Sequence, residues 1–106
     1  MWMKRDFEYE VEDVFSLING GVVVVGNVKK GTMQVGDNAW LVKGDGTRLE
    51  TRIGQMETRR AGQMAPLKKV SEGEHAGVLL GGLKKEQVEI GDRLVANKST
   101  SSKIER

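Results

Sequence analysis

The sequence predicts an all-β chain folded as a small closed antiparallel barrel, and three observations carry that prediction. The first is an internal repeat. Val22-Val23-Val24-Val25-Gly26-Asn27-Val28-Lys29-Lys30, followed by Val35-Gly36-Asp37, recurs at a constant offset of 55 positions as Gly77-Val78-Leu79-Leu80-Gly81-Gly82-Leu83-Lys84-Lys85, followed by Ile90-Gly91-Asp92. A β-forming run, a glycine, a lysine pair and a delayed Gly-Asp turn, repeated without insertion, describe two copies of one strand–loop–strand unit. The second is the spacing of short β-rich runs by glycine turns along 106 residues, the pattern of a small barrel whose closure removes exposed edges. The third is that no segment sustains a helical period.

The elements follow in order. Phe7, Tyr9 and Val11 alternate with charged residues, the period-2 signature of a half-buried strand, and Val14, Phe15 and Leu17 extend it. Asn19-Gly20-Gly21 suits positive φ, and Val22 to Val25, resuming at Val28, is a buried run, so a hairpin is expected. Gly31 and the Gly36-Asp37-Asn38 turn bracket a short loop. Ala39 to Val42 then form a strand with Trp40 in the core, closed by Lys43-Gly44-Asp45-Gly46, and another hairpin runs through Leu49, Thr51 and Ile53. From Thr58 to Lys69 the alternation fails, and Ala61-Gly62 and the only proline, Pro66, among long polar side chains predict a long loop. Glu72-Gly73-Glu74 is a turn, Ala76 to Leu80 the second buried strand, Lys84 to Val88 a single helical turn, and Asp92 to Ala96 the closing strand. The barrel domain is expected over residues 1–97, with 98–106 a flexible C-terminal tail that has little to bury.

Size and composition set the bounds. A chain of 106 residues is one domain, able to bury about 60–70% of the surface exposed when unfolded. The absence of cysteine excludes a disulfide framework and thiolate metal sites. Met1-Trp2-Met3-Lys4-Arg5-Asp6 lacks the apolar stretch of a secretory signal, and no apolar run approaches the ~20 residues of a membrane span. A soluble, cytoplasmic protein is expected, and the Met1 start points to a free-standing gene product. The net charge of +2 and pI near 9.0 decide nothing about partners. Distribution says more: between Lys43 and Lys69 the bases Lys43, Arg48, Arg52, Arg59, Arg60, Lys68 and Lys69 outnumber Asp45, Glu50 and Glu57, which predicts a local positive face.

Glu12-Asp13-Val14-Phe15-Ser16-Leu17, Gly26-Asn27-Val28-Lys29-Lys30-Gly31, Val35-Gly36-Asp37, and Gly77-Val78-Leu79-Leu80 through Gly91-Asp92-Arg93-Leu94-Val95-Ala96 together resemble the second domain of translational GTPases, most closely that of elongation factor Tu, over about Phe7 to Ala96. The resemblance implies a six-stranded closed antiparallel β-barrel with Greek-key features, normally fused behind a GTP-hydrolysing domain. No GTPase domain is expected here. Gly77 and Gly82 mimic the start of a P-loop, but Leu83-Lys84-Lys85 replaces the Lys-Ser/Thr that must reach phosphate and Mg²⁺. Asn97-Lys98-Ser99-Thr100 likewise lacks the aspartate of a guanine-binding motif. Nucleotide binding, cofactors and catalysis are therefore not expected.

In the family this barrel holds the aminoacyl end of charged tRNA, and by resemblance Glu12, Asp13 and Phe15 stand at pocket-wall positions. Elsewhere the pattern departs: Gly20 replaces an arginine, Val25 a threonine, Met56 a glutamate after Ile53-Gly54, and His75 an asparagine before Ala76. These changes remove polar groups that grip ribose and amino group. The Arg59–Lys69 segment is also longer than in that factor.

Each singled-out residue also has an ordinary reading. His75, the only histidine, is the one side chain of a type that titrates near neutrality, though a lone histidine is usually a surface residue. Glu12 and Asp13 are adjacent and would point to opposite faces of a strand, which argues for a turn or bulge rather than a catalytic carboxylate pair. Trp2 is a candidate exposed contact. Lys29-Lys30 and Lys84-Lys85 occupy equivalent repeat positions and are expected on related surfaces. Arg52, Arg59, Arg60, Lys68 and Lys69 are the candidate RNA contacts, without the interleaved aromatics that would stack single-stranded bases. The functional expectation is a non-enzymatic module contacting structured RNA, tRNA or ribosomal RNA, through the Arg52–Lys69 surface and the Glu12–Phe15 side. The alternative is a module that docks on a translation-related protein, or on itself, through Met64, Pro66 and Leu67. No nucleophile–base pair or metal cluster supports an enzyme.

Overall fold

The computed structural model describes residues 6–60 and 63–97, with the side chains of Arg59 and Arg60 left out. The expected tail over 98–106, the Trp2 contact and the Ala61-Gly62 break lie outside the described residues. Eight strands form: β1 (Phe7–Ser16), β2 (Val22–Gln34), β3 (Asn38–Val42), β4 (Arg48–Arg60), β5 (Gln63–Leu67), β6 (Lys69–Ser71), β7 (His75–Gly81) and β8 (Arg93–Ala96). Six of them close a ring in the order β1-β8-β3-β4-β7-β2, with β2 returning to β1, so the barrel is six-stranded, closed and antiparallel. β5 and β6 are additions, paired to the extended ends of β4 and β2. No helix among the described residues is long and apolar enough to cross a membrane.

The alternation read in the sequence becomes the inside and outside of this ring. Phe7, Tyr9 and Val11 of β1, Val22, Val24 and Val28 of β2, Leu41 of β3, Ile53 of β4, Val78 and Leu80 of β7 and Leu94 of β8 are all buried, each contributing about 1.5–3 kcal/mol of apolar burial for a side chain of that size. Tyr9 also donates its hydroxyl to the Ala76 carbonyl at 2.8 Å inside the core. Burial, helped by the Glu12 carboxylate, pushes the Tyr9 hydroxyl well above its usual pKa of 10.0. A folded value above the unfolded one means that this stability is complete below about pH 10 and is lost as pH rises beyond it. Tyr9→Phe is therefore expected to cost about 1 kcal/mol at neutral pH and to flatten the alkaline decline, as denaturant midpoints at pH 7 and above pH 10 would show.

The repeat is real at its turns. Gly36 and Gly91 both adopt positive φ, 95° and 97°. The Asp37 carboxylate accepts the Gln34 amide at 2.9 Å, and the Asp92 carboxylate accepts the Glu89 amide at 2.8 Å. Each turn launches a strand, β3 or β8, and these two pair with each other. The repeat fails at the lysines: β2 runs on through Lys29-Lys30 to Gln34, whereas β7 stops at Gly81 and Lys84 opens a 3₁₀ turn over Lys85–Gln87. The expected equivalence of the two lysine pairs is corrected accordingly. β2 is held extended by β1 and then by β6, and β7 has no such continuation. The helical turn expected within 84–88 is present.

Two further expectations are corrected. The long loop over Thr58–Lys69 is instead the end of β4, β5 folding back on it, and β6. Beyond Glu57, β4 pairs only with β5, so this ribbon has no single core-facing side and shows no clean alternation. Pro66 is accommodated because β5 is an edge strand. Trp40 is not in the core. Ala39 and Leu41 take the inward positions of β3, leaving Trp40 half-buried on the outer face, where the Arg48 guanidinium lies 5.9 Å from its ring centroid, within cation–π range.

Candidate binding faces of the barrel

Since Val22 and Val24 point inward, Val23, Val25 and Asn27 point outward, and register carries that face across the neighbouring strands. Phe15, Val23, Leu79 and Gln55 form one row, and Asp13, Val25, Gly77 and Glu57 the next. Asn27 faces His75 in a third. Glu12 belongs to none of the rows: Val11 pairs with Gly26 and Asp13 with Val25, so Glu12 is the extra residue of a bulge, as its adjacency to Asp13 suggested. The bulge sends its carboxylate towards the third row. Glu12 Oε1 lies 3.1 Å from His75 Nε2, and Oε2 accepts a hydrogen bond from the Asn27 side-chain amide. Both partners of this contact are about half exposed, so it is worth only about 0–1 kcal/mol; its effect is to occupy Glu12.

Of the four residues set out by resemblance, the fold brings Glu12 and His75 into contact and places Asp13 and Phe15 on the same outer face. Asp13 turns back on its own chain, accepting the Val14 amide at 2.9 Å, and Phe15 is 49% exposed. Met56 is buried in the core, so the outward positions there are Gln55 and Glu57 rather than Met56. Asn27, Val23, Leu79 and Glu57 were missed. Alternation about Val22 and Val24 could have located the first two.

The expected positive face is divided. Arg52 stands between Asn38 of β3 and Gly81 of β7, its guanidinium reaching to the Gly36 turn. Val35 donates its amide to the Lys68 carbonyl at 3.0 Å, and Lys69 pairs with Gln34. Arg52, Lys68 and Lys69 thus flank one turn, Val35–Asp37, at one end of the barrel. Arg59 and Arg60 lie seven and eight residues along β4 from Arg52, about 25 Å away at strand rise.

The family of elongation factor Tu domain 2 matches residues 21–95. This chain belongs to that family. Its fold is also that of a barrel in translation elongation factor SelB from Methanococcus maripaludis. The apo form matches at 19% identity and a TM-score of 0.72, covering 91% of this chain and 20% of SelB. The form in complex with the GTP analogue GppNHp matches at the same identity and TM-score, covering 92% and 21%. The chain therefore spans about a fifth of the length of those proteins.

Within this domain 2 barrel, Gly77 sits inside β7, bridging Val25 and Glu57, and Gly82 just follows the strand; the pair is a strand and its end, not a phosphate loop before a helix. The alternative docking trio does not form one surface. Met64 is 52% exposed and Pro66 shares its side of β5, but Leu67 lies opposite and packs against the core. Among the described residues no group of three or more His, Asp or Glu is placed to hold a metal.

Proposed function

We propose that this elongation factor Tu domain 2 barrel serves as a non-enzymatic module of the translation apparatus that contacts structured RNA, tRNA or ribosomal RNA, through Arg52, Lys68 and Lys69. The supporting observation is that Arg52 of β4, Lys68 of the β5–β6 connection and Lys69 of β6 all flank the single Val35–Asp37 turn. Phosphate contact needs cationic side chains on one exposed surface and no exact spacing. All three are exposed, while on the Glu12–Phe15 side Asp13 lies on an outer row opposite Val25 and Glu12 is taken up by Asn27 and His75.

Three phosphate contacts at a slope of about −0.9 each predict a loss of roughly 40-fold in tRNA affinity between about 50 and 200 mM salt. Filter binding of bulk tRNA should show that dependence, and Arg52→Glu/Lys68→Glu/Lys69→Glu should weaken binding and flatten the slope, whereas Arg59→Glu/Arg60→Glu should do less. Salt-independent binding, or a triple variant that binds like wild type, would contradict the proposal.

A further inference from the structure

The outer face opposite in character to the cationic end has a definite charge layout. The Asp13–Val25–Gly77–Glu57 row crosses four strands with a carboxylate at each end and an apolar middle. Its centre is notched, because Gly77 has no side chain and a Cβ placed there would meet nothing nearer than 3.8 Å. The adjoining Phe15–Val23–Leu79 row is apolar. Among the described residues neither Asp13 nor Glu57 is in an ion pair, while Glu12 is already engaged by His75. Three interstrand spacings of about 4.8 Å put the two terminal carboxylates about 14 Å apart along the sheet, the reach of about four residues of extended chain.

We propose that this face docks an extended protein segment carrying an apolar side chain midway between two basic residues about four positions apart, the three sharing one face of the segment. The apolar side chain lies over Val25 and the Gly77 notch, and the basic residues meet Asp13 and Glu57. Carboxylates at both ends attract cationic side chains and disfavour direct phosphate contact. It is a second surface, independent of the RNA contact at the Val35–Asp37 turn.

The test is a charge swap read by fluorescence anisotropy with two labelled, end-blocked peptides, Lys-Ser-Leu-Ser-Lys and Glu-Ser-Leu-Ser-Glu, in which residues 1, 3 and 5 share one face of the extended chain. Wild type should prefer the lysine peptide by roughly tenfold, and Asp13→Lys/Glu57→Lys should reverse the preference while leaving tRNA binding no weaker. Should the reversal variant fail to show a wild-type thermal transition, Asp13→Asn/Glu57→Gln is used, and it should bind both peptides alike. Equal binding of both peptides by wild type, no binding of either, or a preference unaltered by the substitutions would overturn the proposal. So would self-association abolished by the same substitutions, which would assign the face to a second copy.

Discussion

A single methyl group added at Gly26 is expected to destabilise the barrel by about 3–4 kcal/mol, a large part of the 5–15 kcal/mol that holds a domain together. At this point β1 bends across β2 at the Glu12 bulge, and a Cβ on residue 26 would stand 1.9 Å from the Glu10 carbonyl oxygen and 3.1 Å from the Tyr9 ring. The obstructing atom is backbone and cannot swing aside as the end of a side chain would. Relief requires separating two paired strands, which also disturbs the Tyr9 hydroxyl bond to Ala76. Gly44→Ala is the matched control: nothing lies within 4 Å of its added methyl, and its effect should stay within about 0.5 kcal/mol. Urea denaturation of the two variants measures the contrast.

Lys43→Ala is expected to cost a comparable amount, about 3–5 kcal/mol, because it strands a buried charge. The Asp92 side chain is only 3% exposed. Lys43 Nζ bonds its carboxylate and also donates to the Gln87 carbonyl at 2.7 Å, while the other face of the turn is pinned to β1 by amides exchanged between Val11, Gly91 and Asp92. Removing the lysine leaves the carboxylate with the Glu89 amide as its remaining side-chain partner. Lys43→Met/Asp92→Leu should recover most of the loss by removing both charges, and the shortfall should reflect the Glu89 amide left unpaired. Thermal or urea melts of the single and double variants complete the cycle.

What was legible in the sequence was whatever one strand decides alone. Alternation located the inward face of β1, the apolar runs located β2 and β7 without their phase, and the Gly-Asp repeat located two turns of matching geometry. What was not legible depended on neighbours. Trp40 lost the core because Ala39 and Leu41 set the phase of β3, and a large aromatic carries no mark of its phase. The Thr58–Lys69 segment passed for a loop because a ribbon paired beyond the barrel wall has no single buried side. Glu12 and His75 are 63 residues apart, and only the closed topology brings them together; resemblance named both residues without naming their contact. The basic cluster was half visible: its composition was plain, but its division between the Val35–Asp37 turn and the far end of β4 follows from strand length.

The decisive measurement is amide-shift mapping of the nitrogen-labelled protein titrated with bulk tRNA. Perturbations are predicted at Gln34 to Asp37, Arg52, Ile53, Lys68 and Lys69, weakening as salt is added, with Val23, Val25, Gly77 and Leu79 unmoved. Perturbations centred instead on Val23, Gly77 and Leu79, or none at any tRNA concentration, would contradict an RNA contact at the cationic end of the barrel.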